Sequence, residues 1–288
     1  MKKSRLAKIL TLSLAAVMVF SLASCGGSSS DTGDKDITVI SREEGSGTRD
    51  AFTELTGILK DDVDRTVDTA EISNSTSVVT QSVAGNDAAI GYISLGSLDD
   101  SVKAVKVDGT EASVDTVKSG DYKLQRPFNI VTKGEVAELP QDFINFIMSK
   151  DGQKIIEDEG YIAANENAGD YKASGLTGTI TLAGSTSVSP VMEVLADKYK
   201  ELNSGVTIEI QQTGSGAGIQ STIEGVCDIG MASRALADDE ASQGLTSQEI
   251  ALDGIAVIVN TNNSVEDLTT DQIVKIFTGE ITNWADVK

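Results

Sequence analysis

The chain of 288 residues contains no histidine, two cysteines, three prolines and only 4% aromatic side chains. The absence of histidine removes the commonest general base and the commonest metal ligand. Two cysteines, at positions 25 and 227, cannot build a disulfide framework or a thiolate zinc centre. Cations are scarce: 23 Lys and Arg stand against 44 Asp and Glu, a formal charge of −21. Nucleic-acid binders need a positive footprint, which argues against that partner; docking on anionic lipid by charge is disfavoured for the same reason. No Walker A or G-x-S-x-G element occurs, so the chain carries neither a P-loop nor a hydrolase elbow. Cys227 lies in an apolar stretch and reads as an inert core residue. With no histidine and no carboxylates at ligand-like spacing, no catalytic residue, metal or cofactor is expected.

What is present starts with a leader. Lys2, Lys3, Arg5 and Lys8 precede an apolar run, Ile9 to Leu22, that is too short to count on as a spanning helix. Leu22-Ala23-Ser24-Cys25 resembles the lipobox of bacterial lipoproteins. The expectation is a signal peptide over residues 1–24, a lipidated Cys25 and a flexible tether over 25–36. Losing the leader's four cations leaves the remainder more acidic still.

The remainder alternates strand and helix. Strands are expected over Ile37–Ser41, Ala88–Leu95, Val102–Val107, Phe128–Thr132, Thr179–Ala183, Val206–Gln211, Asp228–Ala232 and Ile255–Asn260. Helices are expected over Arg49–Leu59, Gln141–Glu157, Val191–Leu202, Ile219–Glu224 and Leu268–Phe277. Segments 109–125 and 165–178 are polar and read as connections. Strand, glycine loop and helix in repetition give an α/β fold.

Three loops each follow a strand and open a helix: Gly45-Ser46-Gly47-Thr48, Gly184-Ser185-Thr186-Ser187 and Gly214-Ser215-Gly216. A helix N-terminus offers orphan N–H groups and a partial positive charge. Glycine lets the backbone approach a ligand closely, and Ser and Thr add neutral donors. Such loops hold an anion without net positive charge. Any one of them also reads as an ordinary helix cap. Three in one chain, with Arg42 beside the first as a bidentate partner, favour a tetrahedral oxyanion.

The motifs resemble those of the phosphate-binding proteins of ABC transporters. Arg42-Glu43-Glu44-Gly45-Ser46-Gly47-Thr48 is similar to their R-x-x-G-S-G-T loop. Ala183–Pro190, Thr213–Gly218 and Cys227–Arg234 resemble their first, second and third phosphate loops. Ile276–Trp284 is similar to a further family segment. The likeness covers nearly all of residues 37–288, but in a changed order, as in a circular permutation with the family's join between Lys288 and about Ile37. Separate half-modules or a piece of a tandem array are the alternatives.

The resemblance implies a two-lobe periplasmic-binding-protein fold of type II with the ligand in the interlobe cleft. One lobe would comprise residues 37–125 plus 258–288 and carry the Arg42 loop. The other would be 126–257 and carry the Ser187 and Ser215 loops, with crossovers near Pro127–Val131 and Ile255–Asn260. Arg42, Ser46, Gly47, Thr48, Thr186, Ser187 and Ser215 would ligate the oxyanion, with Ser185, Gly216 and Ser233 in the same loops. Phosphate carries a proton that sulfate lacks, so its recognition calls for an acceptor. The family's third-loop carboxylate is missing: Arg234 stands there. Asp253 is the candidate acceptor, and Arg234 is expected either to add a cation or to pair with Asp228 or Asp238. The implied protein is a monomeric, lipid-anchored, extracytoplasmic binder that hands phosphate to ABC permease subunits. Sulfate, molybdate or tungstate are rival ligands, and a tethered sensor is a rival role.

Overall fold

In the computed structural model, residues 35–288 are described; the expected signal peptide, Cys25 and the tether up to residue 34 lie outside them. The first run comprises β1 (Thr38–Arg42), α1 (Gly47–Thr56), the hairpin β2 (Leu59–Lys60) and β3 (Val63–Asp64), β4 (Glu71–Ser73), α2 (Thr76–Ala84), β5 (Ala89–Ser94), β6 (Val102–Ala104), β7 (Lys106–Val107) and α3 (Val114–Lys118). The second comprises β8 (Gln125–Lys133), α4 (Glu138–Ile147), α5 (Lys150–Asp158), β9 (Ile162–Ala163), β10 (Gly178–Gly184), α6 (Ser189–Leu202), β11 (Val206–Gln212), α7 (Ser215–Glu224), β12 (Ile229–Ala232) and α8 (Asp238–Ala241). The chain closes with β13 (Leu245–Asn260), β14 (Asp267–Leu268) and α9 (Thr270–Phe277).

The main sheet has the path β11-β10-β12-β8-β13-β5-β1-β4. Its two flanks are parallel: β10 pairs with β11 and β12, and β1 pairs with β4 and β5. The centre is antiparallel. Residues 245–254 of β13 pair with β8, and residues 255–259 pair with β5, so one strand crosses from one flank to the other. Ile255 to Val259 are buried without polar alternation, as a strand covered on both faces requires.

Two main apolar clusters follow this division. One unites residues from Val39 to Leu124 with residues from Ile255 to Trp284 around Phe52, Tyr92 and Phe277. The other runs from Phe128 to Ala251 and is centred on Phe143, Phe146, Leu195 and Tyr199. The first is therefore closed by both ends of the described chain. Ile37 N donates to Thr282 O at 2.7 Å and Trp284 N to Lys35 O at 3.0 Å. The tether expected to reach residue 36 is thus already docked at Lys35.

The expected elements differ in other places as well. The single helix over 141–157 is two helices, because Ser149 breaks it: its Oγ caps α5 at Gly152 N and donates to Phe146 O. Segment 109–125 contains α3, held by a capping box of Ser113 and Thr116. Residues 60–87, where no element is expected, contain β3, β4 and α2. The second crossover strand starts at Leu245, ten residues earlier than expected, since the polar stretch 246–249 is half of a β ladder with 129–132.

Candidate functional site

In a parallel flank the strands point their carboxyl ends the same way, and ligand loops gather there. In the second half, β10 stops at Gly184, whose φ of +144° and contact with Met231 backbone leave no room for a side chain. Ser185 Oγ then accepts from Ser187 N at 3.2 Å and Val188 N at 3.4 Å, a tight turn that presents Thr186 and Ser187. From β11 the chain passes through Gly214 into α7, which starts at Ser215. From β12 comes Ser233, whose N–H donates to Ser215 Oγ at 3.1 Å. In the first half, β1 ends at Arg42, Ser46 caps α1 by accepting from Arg49 N, and Gly47 and Thr48 form its first turn. Ser75 caps α2 at Val78 N and sets Thr76 at its first position.

The helix N-termini of the two halves meet. Thr48 Oγ1 lies 2.8 Å from Ser187 Oγ. Thr76 Oγ1 lies 3.1 Å from Ser187 Oγ and 3.3 Å from Thr186 Oγ1. Arg42 Nη2 donates to Thr186 Oγ1 at 3.1 Å, and Gly216 N donates to Gly45 O at 2.9 Å. These hydroxyl side chains are all buried. Thr76 and Thr186 also line a groove of about 420 Å³ between the halves, which continues past Ser97 and Gln212.

Arg42 is only 2% exposed and is fixed on several sides. Its Nε and Nη2 each donate to a Glu43 carboxylate oxygen at 2.8 Å, and Nε also reaches Ser73 O at 3.2 Å. Its backbone N–H donates to the Tyr92 hydroxyl at 3.2 Å, which also pairs with Ser41 Oγ. Tyr92 stacks on Phe52 at 4.0 Å, and burial pushes its hydroxyl up to about 12. The guanidinium is therefore held in one orientation by protein groups of both halves, which favours a ligand of matching geometry.

Of the residues singled out in the sequence, Arg42, Gly47, Thr48, Thr186, Ser187, Ser215, Gly216 and Ser233 come together. Ser46 and Ser185 lie in the same loops, but their hydroxyls cap their own turns. Two expectations need correction. Asp253 is not free to accept a ligand's proton. It is buried in β13, with Oδ2 taking Arg126 Nε and Nη2 at 3.2 and 3.1 Å and Oδ1 taking Ser94 Oγ at 2.9 Å. Burial outweighs the pull of Arg126 and lifts its carboxyl to about 6. Arg234 pairs with neither Asp228 nor Asp238. Its Nε donates to Asp50 on α1 at 2.8 Å, and Nη1 and Nη2 donate to Glu240 on α8 at 2.7 and 2.8 Å. With two carboxylates attached, it brings no net positive charge to the hydroxyl cluster.

Thr76, Tyr92 and Arg126 escaped the sequence reading. For Thr76 a signal exists: Ser75-Thr76-Ser77 opens a helix as the glycine loops do, but without a glycine. Among the described residues, no group of three or more Cys, Asp or Glu side chains is placed to hold a metal ion.

A family described as the PBP superfamily domain matches residues 6–151 and 170–288. Phosphate-binding protein PstS 2 of Streptococcus agalactiae serotype V is 48% identical over 293 residues, covering 100% of this chain and 99% of that one. Phosphate-binding protein PstS 2 of Streptococcus pneumoniae serotype 4 is 48% identical over 288 residues, with 98% and 99% covered. A solved phosphate-binding protein of a phosphate ABC transporter from Streptococcus pneumoniae TIGR4 is 50% identical, covers 88% of this chain and 100% of its own, and has a TM-score of 0.72.

Proposed function

The chain belongs to the PBP superfamily, and on that premise we propose that it is the phosphate-binding protein of a phosphate ABC importer, a binder and not an enzyme. The observation that carries this reading is the joining of Arg42, Thr48 and Thr76 from one half to Thr186 and Ser187 from the other within 2.8–3.3 Å. An oxyanion at that junction receives hydroxyls, helix N-terminal amides and one preoriented guanidinium. Shielded from water, each of those hydrogen bonds is stronger. The end-to-end match to relatives named for phosphate binding favours phosphate over sulfate, molybdate or tungstate.

The two apolar clusters support treating residues 37–125 with 258–288 as one lobe and 126–257 as the other, save that Ile255, Ala256 and Val257 pack in the first cluster, with phosphate in the cleft and the lobes closing over it. The S. agalactiae relative has the same segment order as this chain, since the two align end to end. The docking of Lys35–Ile37 on Thr282–Trp284 supports a circular permutation, because it brings the family's join together in space. The leader motif supports an extracytoplasmic protein anchored through lipidated Cys25, and a monomer that delivers phosphate to permease subunits completes the proposal.

Calorimetric titration tests the function. Wild-type protein is expected to bind phosphate tightly and sulfate weakly, and Arg42→Ala to lose phosphate binding. Equal affinity for sulfate, or undiminished phosphate binding by Arg42→Ala, would refute the reading. Glu43 Oε1 shares Arg42 Nη2 with Thr186 Oγ1, so Glu43→Gln is the variant in which a gain of sulfate affinity would reveal a carboxylate that senses the ligand's proton.

A further inference from the structure

Closing the two lobes brings carboxylates of opposite lobes together beside the cleft. Asp50 sits in the first turn of α1, two residues after Thr48, and Glu240 sits on α8. Burial raises the Asp50 carboxyl against the pull of Arg234 and Arg49, and the negative charge of Glu240 adds a smaller push in the same direction. Arg234 lies between the two carboxylates, with a side chain only 17% exposed. It is the residue directly after Ser233, so this cation and the anion cluster ride on the same loop. Glu240, in turn, is fixed by Ala237 N at 2.8 Å, and Asn129 Nδ2 holds the Arg234 carbonyl at 2.9 Å. The guanidinium fork therefore has one prong on each lobe and a rigid seat on its own.

We propose that Arg234 is a positioning residue for ligand retention: it neutralises Asp50 and Glu240 so that the lobes can close, and thereby sets how long phosphate stays bound. This rests on the phosphate-binding reading above. Asp50 and Glu240 are paired with each other only through Arg234, and Arg49, the other cation acting on Asp50, is engaged with Asp64 at 2.7 Å. Removing Arg234 leaves two carboxylates facing each other beside a bound anion, which is the costly way to break a partly buried ion pair. Removing Asp50 as well takes the repulsion away. A lysine lacks the fork and cannot serve both carboxylates at once.

The decisive measurement is phosphate dissociation and association by stopped-flow exchange in wild type, Arg234→Ala, Asp50→Asn and the double variant. Arg234→Ala is expected to raise the dissociation rate about tenfold, equivalent to about 1.4 kcal/mol, with little change in association. Asp50→Asn stays within about threefold of wild type, and the double variant recovers most of the loss, a non-additivity expected of groups in direct contact. Arg234→Lys falls between wild type and Arg234→Ala. An unchanged dissociation rate in Arg234→Ala, or a double variant as poor as the single, overturns the proposal. If Arg234→Ala does not fold, Arg234→Lys with and without Asp50→Asn decides by the same comparison. If wild type binds no phosphate, the functional reading fails separately. Small-angle scattering then decides about the clamp, by whether Arg234→Ala is more open than wild type.

Discussion

Gly47 separates closing from binding chemistry, because replacing it removes no donor. Gly47 is the first residue of α1, and its backbone lies outside the left-handed region, so alanine fits it locally. Across the junction the situation differs. A methyl group there would strike Ser215 Oγ, stand 2.8 Å from Ser233 Oγ and 3.0 Å from Ser215 Cβ. Those serines belong to the opposite lobe and are fully buried. Either the lobes stay apart or both hydroxyls turn away from the cluster. Overpacking a tight contact costs about 1–3 kcal/mol, so phosphate affinity should fall about 5- to 150-fold. Folding responds in the opposite direction. Alanine in a helix stabilises by about 0.5–1 kcal/mol relative to glycine, so the ligand-free protein should melt at the same temperature or a degree or two higher. Titration calorimetry with phosphate and scanning calorimetry without it measure both. Full affinity in Gly47→Ala would refute the closed arrangement of the loops, and a marked drop in ligand-free melting temperature would refute the claim that the clash is confined to the junction.

Three further outcomes are expected. Thr76→Ala removes the hydroxyl that meets both Thr186 and Ser187 and should weaken phosphate binding about tenfold, at about 1 kcal/mol per lost hydrogen bond and more in a dry site. Ser75→Ala loses the cap of α2 and a hydrogen bond to the exposed Ser77 Oγ, neither of them in the hydroxyl cluster, and should lower stability by about 1 kcal/mol with affinity nearly unchanged; the reverse pattern would mean that Ser75 is the ligand. The Asp253 carboxyl is raised to about 6 from 3.8, so the folded chain holds this proton more tightly than the unfolded one. The stability this contributes is present below about pH 4 and is lost as pH rises through about 6. The stability difference between wild type and Asp253→Asn, followed by denaturant titration, should therefore shrink as pH rises through that window, and a difference that grows would refute the assignment.

The glycine-bearing loops could be read in the sequence because glycine has a local reason to be there. Gly184 and Gly214 take positive φ, and Gly47 has no space for a side chain. The loop of α2 needs none of this, since Ser75 caps it with an ordinary extended backbone, and so Thr76 left no comparable mark. Arg126 and Asp253 are 127 positions apart and meet only because β8 and β13 cross the molecule side by side. No local pattern announces such a pair. Arg234 was noticed as a departure from a motif, but its partners were misjudged by proximity in sequence. Asp228 is spent on Thr181 N and Oγ1, whereas Asp50 arrives from the other half. The split helix at Ser149 failed for a different reason: the apolar spacing runs on through the break, and the break is a side-chain capping event rather than a change of period.

The contacts of Lys35–Ile37 with Thr282–Trp284, among them the hydrogen bond from Asn283 Nδ2 to Asp36 Oδ1, span some 247 positions, and they bear on the order of assembly. During synthesis or passage across a membrane, β1 emerges early yet must wait for the last residues before its surroundings are complete. The stretch from Phe128 to Ala251 is continuous and can condense first, serving as a platform. Closing so long a loop costs little more than closing one of half the length, but it is slow. The lobe that carries Arg42 is therefore expected to be the last to acquire its native form and the first to lose it when residues 279–288 are removed.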